Sequence, residues 1–518
     1  MIPGNEKGQI TVFLSLLFLI MLGVALCVLE GIRSYMSVPL AEDAVIGAGE
    51  DILANYDRPL FERYHVFFLD PREKPYLKTD AEACLKNSVK ENPLFGFAFR
   101  DIQVTGEEAA TDKNGIYLQH QIREWMKYRE AEEVDMNIRK LFQSAKNMKL
   151  LAEEQTEELI SHSGESPDND TEGEEVTQGE ESAENEEEQR DTYGKEKVCW
   201  KNLKETLQMV MRSGVLLYAA GDASKISSSR VVAGELPSAD RRESLSGESP
   251  GEGVLSFNSI GEWSRLIESG EYGQPDSCFL GKDRFLADYI FRCFSWYGQP
   301  EKEEKEENHA LKCEVEYLIE GRQSDIDNVR CVANRILLWR FIVNYAYASK
   351  DAGIQARAES LSMGLTGFLG LPAAREAVRV LLTSALCYGE SLLELHTLLN
   401  GGEIPVVKTA AVWNLHFENA PEYLRSKKEV KKGNCNVSYT DYLKMFLAVK
   451  NKDSRLYYRM MDIMQMNMAL EEPGFQMKDC LFSYQWEVNI TYTGNFASLP
   501  FVGQTNLWNM KLKRQVSY

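Results

Sequence analysis

The chain has 518 residues, 44% of them apolar, and a formal net charge of −21 at pH 7. That is room for two or more domains and enough apolar content for real cores. Most of the negative charge is local: Glu153 to Asp191 holds seventeen acidic residues and one basic one, Arg190. The remainder is nearly balanced, and without a basic, aromatic-rich patch a nucleic-acid partner is not expected.

Ile10 to Leu29 is a run of twenty uncharged residues, fourteen of them Leu, Ile, Val or Phe. At 1.5 Å per residue such a helix spans about 30 Å, the thickness of a bilayer's hydrocarbon core. Its apolar side chains favour insertion by roughly 4 to 8 kcal/mol. Ile10, Phe13, Leu17, Ile20, Val24 and Leu29 are therefore candidate membrane-anchor residues. A cleaved signal has a shorter apolar region followed by a small-x-small site. The sequence after Leu29, Glu-Gly-Ile-Arg-Ser-Tyr-Met, contains none, so a retained anchor is expected.

Lys7 precedes the run, and Arg33 is the lone basic residue just after it. The bias places the N-terminus in the cytoplasm and the body outside, with residues 1–9 as a short cytoplasmic tail. Glu30 and Arg33 lie one helical turn apart at the end of the anchor. They read as an interfacial ion pair or as a contact with a neighbouring anchor. Beyond them Leu40, Ala41, Ala44, Val45, Ala48, Ile52 and Leu53 recur at helical spacing between acidic residues. The first helix should thus continue from lipid into an amphipathic half, with a kink or interruption at Pro39.

Residues 30–151 follow as a membrane-proximal region of helix and strands. Tyr56 to Asp70 predicts a turn, a short helix and an apolar strand from Val66 to Leu69. Phe95 to Gly106 predicts a strand with an irregularity near Arg100, where the alternation changes phase. Ile116 to Ala152 predicts a helix, with Ile138, Leu141, Phe142, Ala145 and Met148 on one stripe. Residues 152–198 form the acidic insertion, too poor in apolar residues to build a core and expected to be disordered. Its DNDTEG stretch, Asp168 to Gly173, is a poor calcium loop, because position twelve would be Gly179 and not the bidentate Glu required.

A second helix is predicted within residues 199–221, from about Trp200 to Leu217, and a flexible linker over 222–256. Glu301 to Glu307 is a run of charge that suits a solvated loop or helix end. Residues 257–470 read as a mainly helical domain. Ile336, Trp339, Ile342, Val343 and Ala346 mark one buried helix. The uncharged runs around Ser360 to Pro372 and up to Glu390 are too short to cross a membrane and suit buried helices better. Residues 471–518 close the chain with a β-hairpin. Phe482, Tyr484, Trp486, Val488, Ile490 and Tyr492 alternate with polar residues, and Trp508 to Tyr518 alternates again. Pairing with the Phe95–Val104 strand would join the two ends of the chain. The expected fold class is α+β: a transmembrane helix running into an amphipathic one, and a mainly α-helical extracytoplasmic body with a small antiparallel sheet.

Chemistry-bearing motifs are sparse. The ten cysteines form no C-x-x-C pair, so buried thiols are expected, with a disulfide or two left open. No two of the six histidines stand at ligand spacing, and neither phosphate-binding loops nor nucleophile elbows occur. No metal or cofactor is implied. Glu390 and Glu394 share a helix face near His396, as many solvated pairs do. His416 beside Trp413 and Phe417 suits a packed aromatic cluster.

GQITVFLSLLFLIMLGVALCVLEGIR, Gly8 to Arg33, followed by YDRPLFERYHVFFLD, resembles a bacterial family of single-anchor proteins. These are similar to accessory proteins of tight-adherence (Tad/Flp-type) pili, the TadE/TadG-like group. ALKCEVEYLIEG, NRILLWRFIVNYAYA, CYGESLLELHTLLNGGEIPVVK and Asp441 to Met468 extend the resemblance through the body in the same order. The resemblance implies a single-pass protein of the bacterial cell membrane whose partners are the lipid bilayer and other anchored or pilus-system proteins. Processed pilins are cut after a Gly and carry Glu at the fifth mature position. After Gly8 and Gln9 that position is Phe13, so an uncleaved anchor with pilin-like architecture is the expectation. A non-enzymatic assembly role follows; the alternative is an anchored extracytoplasmic hydrolase acting on envelope material, which would need two carboxylates in a deep cleft.

Overall fold

A computed structural model describes residues 6–91, 97–127, 183–221, 226–231, 235–239, 284–299, 308–366, 372–450, 454–493 and 506–518. The chain forms two compact units, one from residues up to Trp125 together with Met468–Tyr518, the other from Met126–Asn467.

The first unit is built on helix α1, Glu6–Leu53, 48 residues long and so about 72 Å end to end. The described residues leave its apolar first half almost bare: of the large apolar side chains from Ile10 to Leu29, all but the half-buried Leu26 are exposed. It is one helix long and apolar enough to cross a membrane. The second half is amphipathic as the spacing predicts, with Ala41, Val45, Ala48 and Ile52 buried. Pro39 lies inside the helix without interrupting it. Proline cannot donate to the carbonyl four residues back, that of Tyr35. Tyr35 is 82% exposed, so polar surroundings can take up the orphaned carbonyl and the helix runs on.

Helix α2, Arg58–Tyr64, starts at Asp57, whose carboxylate accepts from the Leu60 N–H at 2.9 Å, and ends at His65 in the left-handed region. The strand expected over Val66–Leu69 is absent. Only isolated bridges of Leu69 to Tyr56 and Leu481 form there. The reason is a side chain in a strand's place: Gln121 accepts from the Phe67 N–H and donates to the Phe67 carbonyl.

Helix α3, Leu77–Glu91, leads to strand β1, Phe97–Ala109, and then to helix α4, Ile116–Lys127. The stripe expected from Ile138 to Met148 lies outside the described residues. Strands β2, Leu481–Thr493, and β3, Asn506–Ser517, complete an antiparallel sheet of order β1-β2-β3. The C-terminal hairpin therefore forms, and Phe97 opposite Tyr492 joins the two ends of the chain. The expected irregularity is a register shift between Arg100 and Gln103, with Asp101 at φ 49°.

Tyr484, Trp486, Val488, Ile490 and Tyr492 on one face of β2 are all buried in a core shared with α1, α3 and β1. Small residues on α1 let the backbones approach. A Cβ on Gly49 would lie 2.6 Å from Cγ2 of Val516 in β3.

The second unit is helical. Helix α5, Ala183–Ser213, begins inside the stretch expected to be disordered. Ala, Glu and Gln are good helix formers, and acidic side chains favour a helix N-terminus. Residues 152–182, with the DNDTEG stretch, lie outside the described residues, as do 301–307. Gly214, at φ 86°, separates α5 from the short α6, Val215–Ala220, where one helix was expected. The linker is also partly structured. Asp325 N–H donates to the Ser229 carbonyl, Ser238 N–H to Asp462, and Leu236 is buried.

Then come α7, Arg284–Cys293; α8, Glu314–Glu320; α9, Asp325–Ala348; α10, Ala352–Thr366; and α11, Pro372–Leu399. The last are α12, Ala420–Ser426; α13, Tyr439–Lys450; and α14, Ser454–Glu471. Helix α11 packs on both α9 and α10. From Leu382 to Leu399 it is buried nearly all round, which marks it as the pillar of the unit.

Candidate functional site

Two polar arrangements stand out, one in each unit. The first is the root of the apolar helix. The candidate anchor residues Ile10, Phe13, Leu17, Ile20, Val24 and Leu29 are all exposed along α1, and Gly8 and Gln9 lie within its first turns. One residue past Leu29, Glu30 is buried, and Arg33 donates to both its carboxylate oxygens at 3.2 and 3.3 Å. The Tyr492 hydroxyl donates to Glu30 Oε1 at 2.9 Å, and the Arg33 guanidinium sits 5.7 Å from the centre of the Tyr492 ring. The pair thus faces its own sheet. Further along α1, Tyr484 donates to the Gly49 carbonyl at 3.1 Å and Tyr518 to the Leu53 carbonyl at 2.6 Å. Three tyrosines of the C-terminal hairpin tie down the second half of α1, and the first half continues from it as the same helix.

The second arrangement lies inside the helical unit. Glu390 and Glu394 are not a solvated pair; both are fully buried. Glu394 takes two bonds from Arg340, at 2.7 and 2.8 Å, one from Asn344 at 2.8 Å, and an ion pair with Lys408 at 2.7 Å. Glu390 takes Lys408 Nζ and Asn414 Nδ2 on one oxygen, both at 2.6 Å, and the Leu415 N–H at 3.0 Å on the other. Trp413 flanks Lys408 with its ring centre 5.5 Å from the ammonium. Burial alone would raise the Glu394 pKa. Arg340 and Lys408 overcome it and hold the carboxyl down at about 2.

Two carboxylates meet two cations, so the buried charge is balanced. Both carboxylates are engaged on each oxygen and shielded from solvent, which suits a structural clamp better than proton transfer. The clamp fastens the segment Val406–Leu415 to the pillar α11 and to α9. Arg340 and Lys408 were missed in the sequence because each reads as an interruption in an apolar stretch, ILLWRFIV and IPVVKTAAVW. A lone cation in such a run is itself the signal of a buried partner.

The remaining candidates disperse. Trp413 and Phe417 are buried, but His416 is exposed and so stands outside the aromatic cluster expected there. His396 donates from Nδ1 to the Ala219 carbonyl, 2.7 Å away. No disulfide joins the described cysteines. Among the described residues, no three His, Cys, Asp or Glu side chains are grouped to hold a metal ion. A further acidic group surrounds α8. Glu314 accepts from the Ser295 N–H and contacts His309 at 2.9 Å, and Glu316 accepts from Tyr297 N–H and Tyr439 Oη. Burial raises the Glu316 pKa to about 7.

A family model, the family of unknown function DUF5702, matches residues 193–492. That is more than half of the chain. The chain belongs to DUF5702. The matched span begins within α5 and takes in the described part of the helical unit after it, including the whole Glu390–Glu394 cluster, and ends at Tyr492 of β2. No curated protein and no solved structure matches the chain.

Proposed function

We propose that this DUF5702 protein is a single-pass, membrane-anchored, non-enzymatic component of a pilus-like surface system of the Tad/Flp type, acting through protein contacts. The observation that carries the reading is the division of α1. A run of twenty uncharged, mostly apolar residues projects almost wholly exposed, and the same helix, continued, is bound to a three-stranded antiparallel sheet. That is the architecture of a pilin-like subunit, in which one helix serves both as the membrane segment and as the spine of the head. In this reading the N-terminus is cytoplasmic, and both units lie outside the bacterial cell membrane.

The buried Glu390–Glu394 cluster supports the non-enzymatic side of the proposal, since its carboxylates are sealed and paired. The test is chemical cross-linking in native membranes, followed by purification and identification of the adducts. Adducts to other single-anchor or pilus-system proteins are expected. A protein recovered without such partners, and cleaving purified envelope polymers, would replace this reading with that of an anchored hydrolase. The N-terminal residue of the same preparation decides processing: a start at Met1 gives a fixed membrane component, a start at Gln9 a subunit cut after Gly8.

A further inference from the structure

From Ile10 to Ala41 the only charged side chains are Glu30 and Arg33, and they are 7% and 10% exposed. The rest of α1's surface over that length is uncharged, although the uncharged run of sequence ends at Leu29. Val28, Ile32, Tyr35 and Met36 are all exposed. At 100° per residue they fall within an arc of about 100°, roughly opposite Ser37, Ala41 and Ala48, which are buried. The apolar ridge therefore continues two turns past Leu29 on one side of the helix. On the other side Tyr492 covers the Glu30–Arg33 pair.

We propose that this ridge is a lipid-contacting surface, so that the first unit rests on the bilayer instead of standing off it. The inference rests on reading α1 as the membrane anchor. Ile10 to Met36 is about 40 Å of helix, the hydrocarbon core plus one interfacial layer. The ridge places Tyr35 at headgroup depth, where tyrosine is favoured, and keeps Arg33 beside it. A neighbouring helix is a poorer occupant. Close helix pairs in membranes use small residues and exposed hydrogen-bonding groups. Val28, Ile32, Tyr35 and Met36 offer neither the small residues nor a carboxylate or guanidinium, because Glu30 and Arg33 are turned toward the sheet. The first exposed charge along the ridge is Asp43, one turn beyond Pro39.

The test is photo-cross-linking of the full chain in phosphatidylcholine–phosphatidylglycerol vesicles. p-Benzoylphenylalanine replaces, one at a time, Ile20, Ile32, Tyr35 and Ile46, all of them exposed side chains. The expected result is phospholipid adducts by intact mass at Ile20, Ile32 and Tyr35, and none at Ile46, about 15 Å further along the helix than Met36. Adducts at Ile20 with none at Ile32 and Tyr35 would overturn the inference while leaving the anchor in place. Dimer adducts at Ile32 and Tyr35 would overturn it in favour of a second copy. No adduct at Ile20 would overturn the anchor reading itself, and this inference with it.

Discussion

Replacing Glu394 by Gln should destabilise the helical unit by about 3 kcal/mol, and the figure follows by two routes. The substitution leaves Arg340 and Lys408 buried against Glu390 alone, one positive charge uncompensated. Breaking a buried ion pair from one side costs about 3–5 kcal/mol. Independently, a carboxyl held at about 2 in the fold, against an ordinary 4.5, stabilises the folded state near neutral pH. At 1.36 kcal/mol per unit that is about 3 kcal/mol. Because the folded value is depressed, this stability is present above pH 4.5 and is lost as pH falls from there through about 2. The assay is thermal and urea unfolding of the full chain in detergent, followed by circular dichroism, for wild type and E394Q at pH 7 and pH 3. The difference should be large at pH 7 and shrink at pH 3. Equal stability at pH 7 would refute the buried clamp. It would return Glu394 to the solvent-facing pair that its spacing from Glu390 suggests.

Other substitutions probe separate parts of the molecule. Tyr492→Phe removes the hydroxyl that donates to the Glu30 carboxylate. A loss of about 1.5–3 kcal/mol is expected, visible as faster amide hydrogen exchange over 481–493; unchanged exchange would sever the anchor root from the sheet. Gly49→Leu drives a side chain into Val516, costing about 1–3 kcal/mol, and Val516→Ala in the same chain should restore part of it. Gly321 caps α8 at φ 68° with the Arg459 guanidinium 2.5 Å from where a Cβ would stand. Gly321→Ala should therefore cost about 1–2 kcal/mol for the left-handed backbone, and more for the displaced guanidinium; a neutral result would place Arg459 elsewhere. Burial raises the Glu316 pKa to about 7, so its contribution favours the fold below pH 4.5 and declines as pH rises to about 7. Glu316→Gln should flatten that fall in melting temperature between pH 5 and pH 8, and parallel pH profiles for variant and wild type would contradict the assignment.

Much of this architecture was legible locally. Twenty uncharged residues declare a membrane-length helix whatever follows them. Ala41, Val45, Ala48 and Ile52 declare the buried face of its continuation, because helical spacing is a property of the backbone. The alternation from Phe482 to Tyr492 declares a strand for the same reason, and even the irregularity near Arg100 was visible as a change of phase. Where local pattern failed, a distant group had taken a local element's place. Val66–Leu69 has a strand's composition, but Gln121 occupies the edge where a partner strand would run. The acidic composition of Ala183–Val198 masked residues that are good helix formers.

The sites were far less legible than the fold, because each joins residues remote in sequence. Glu30 announced itself as a charge at a membrane boundary, but its partner Tyr492 lies 462 positions away. Glu390 and Glu394 announced a shared helix face and nothing of its environment. That face is sealed by Arg340, 54 positions before Glu394, and by Lys408, 18 after Glu390. Periodicity determined which residues share a face; only the tertiary structure decided what that face meets. A carboxylate's chemistry depends on whether water or a buried cation lies within a few ångströms of it, and that distance is set by the packing of the whole unit.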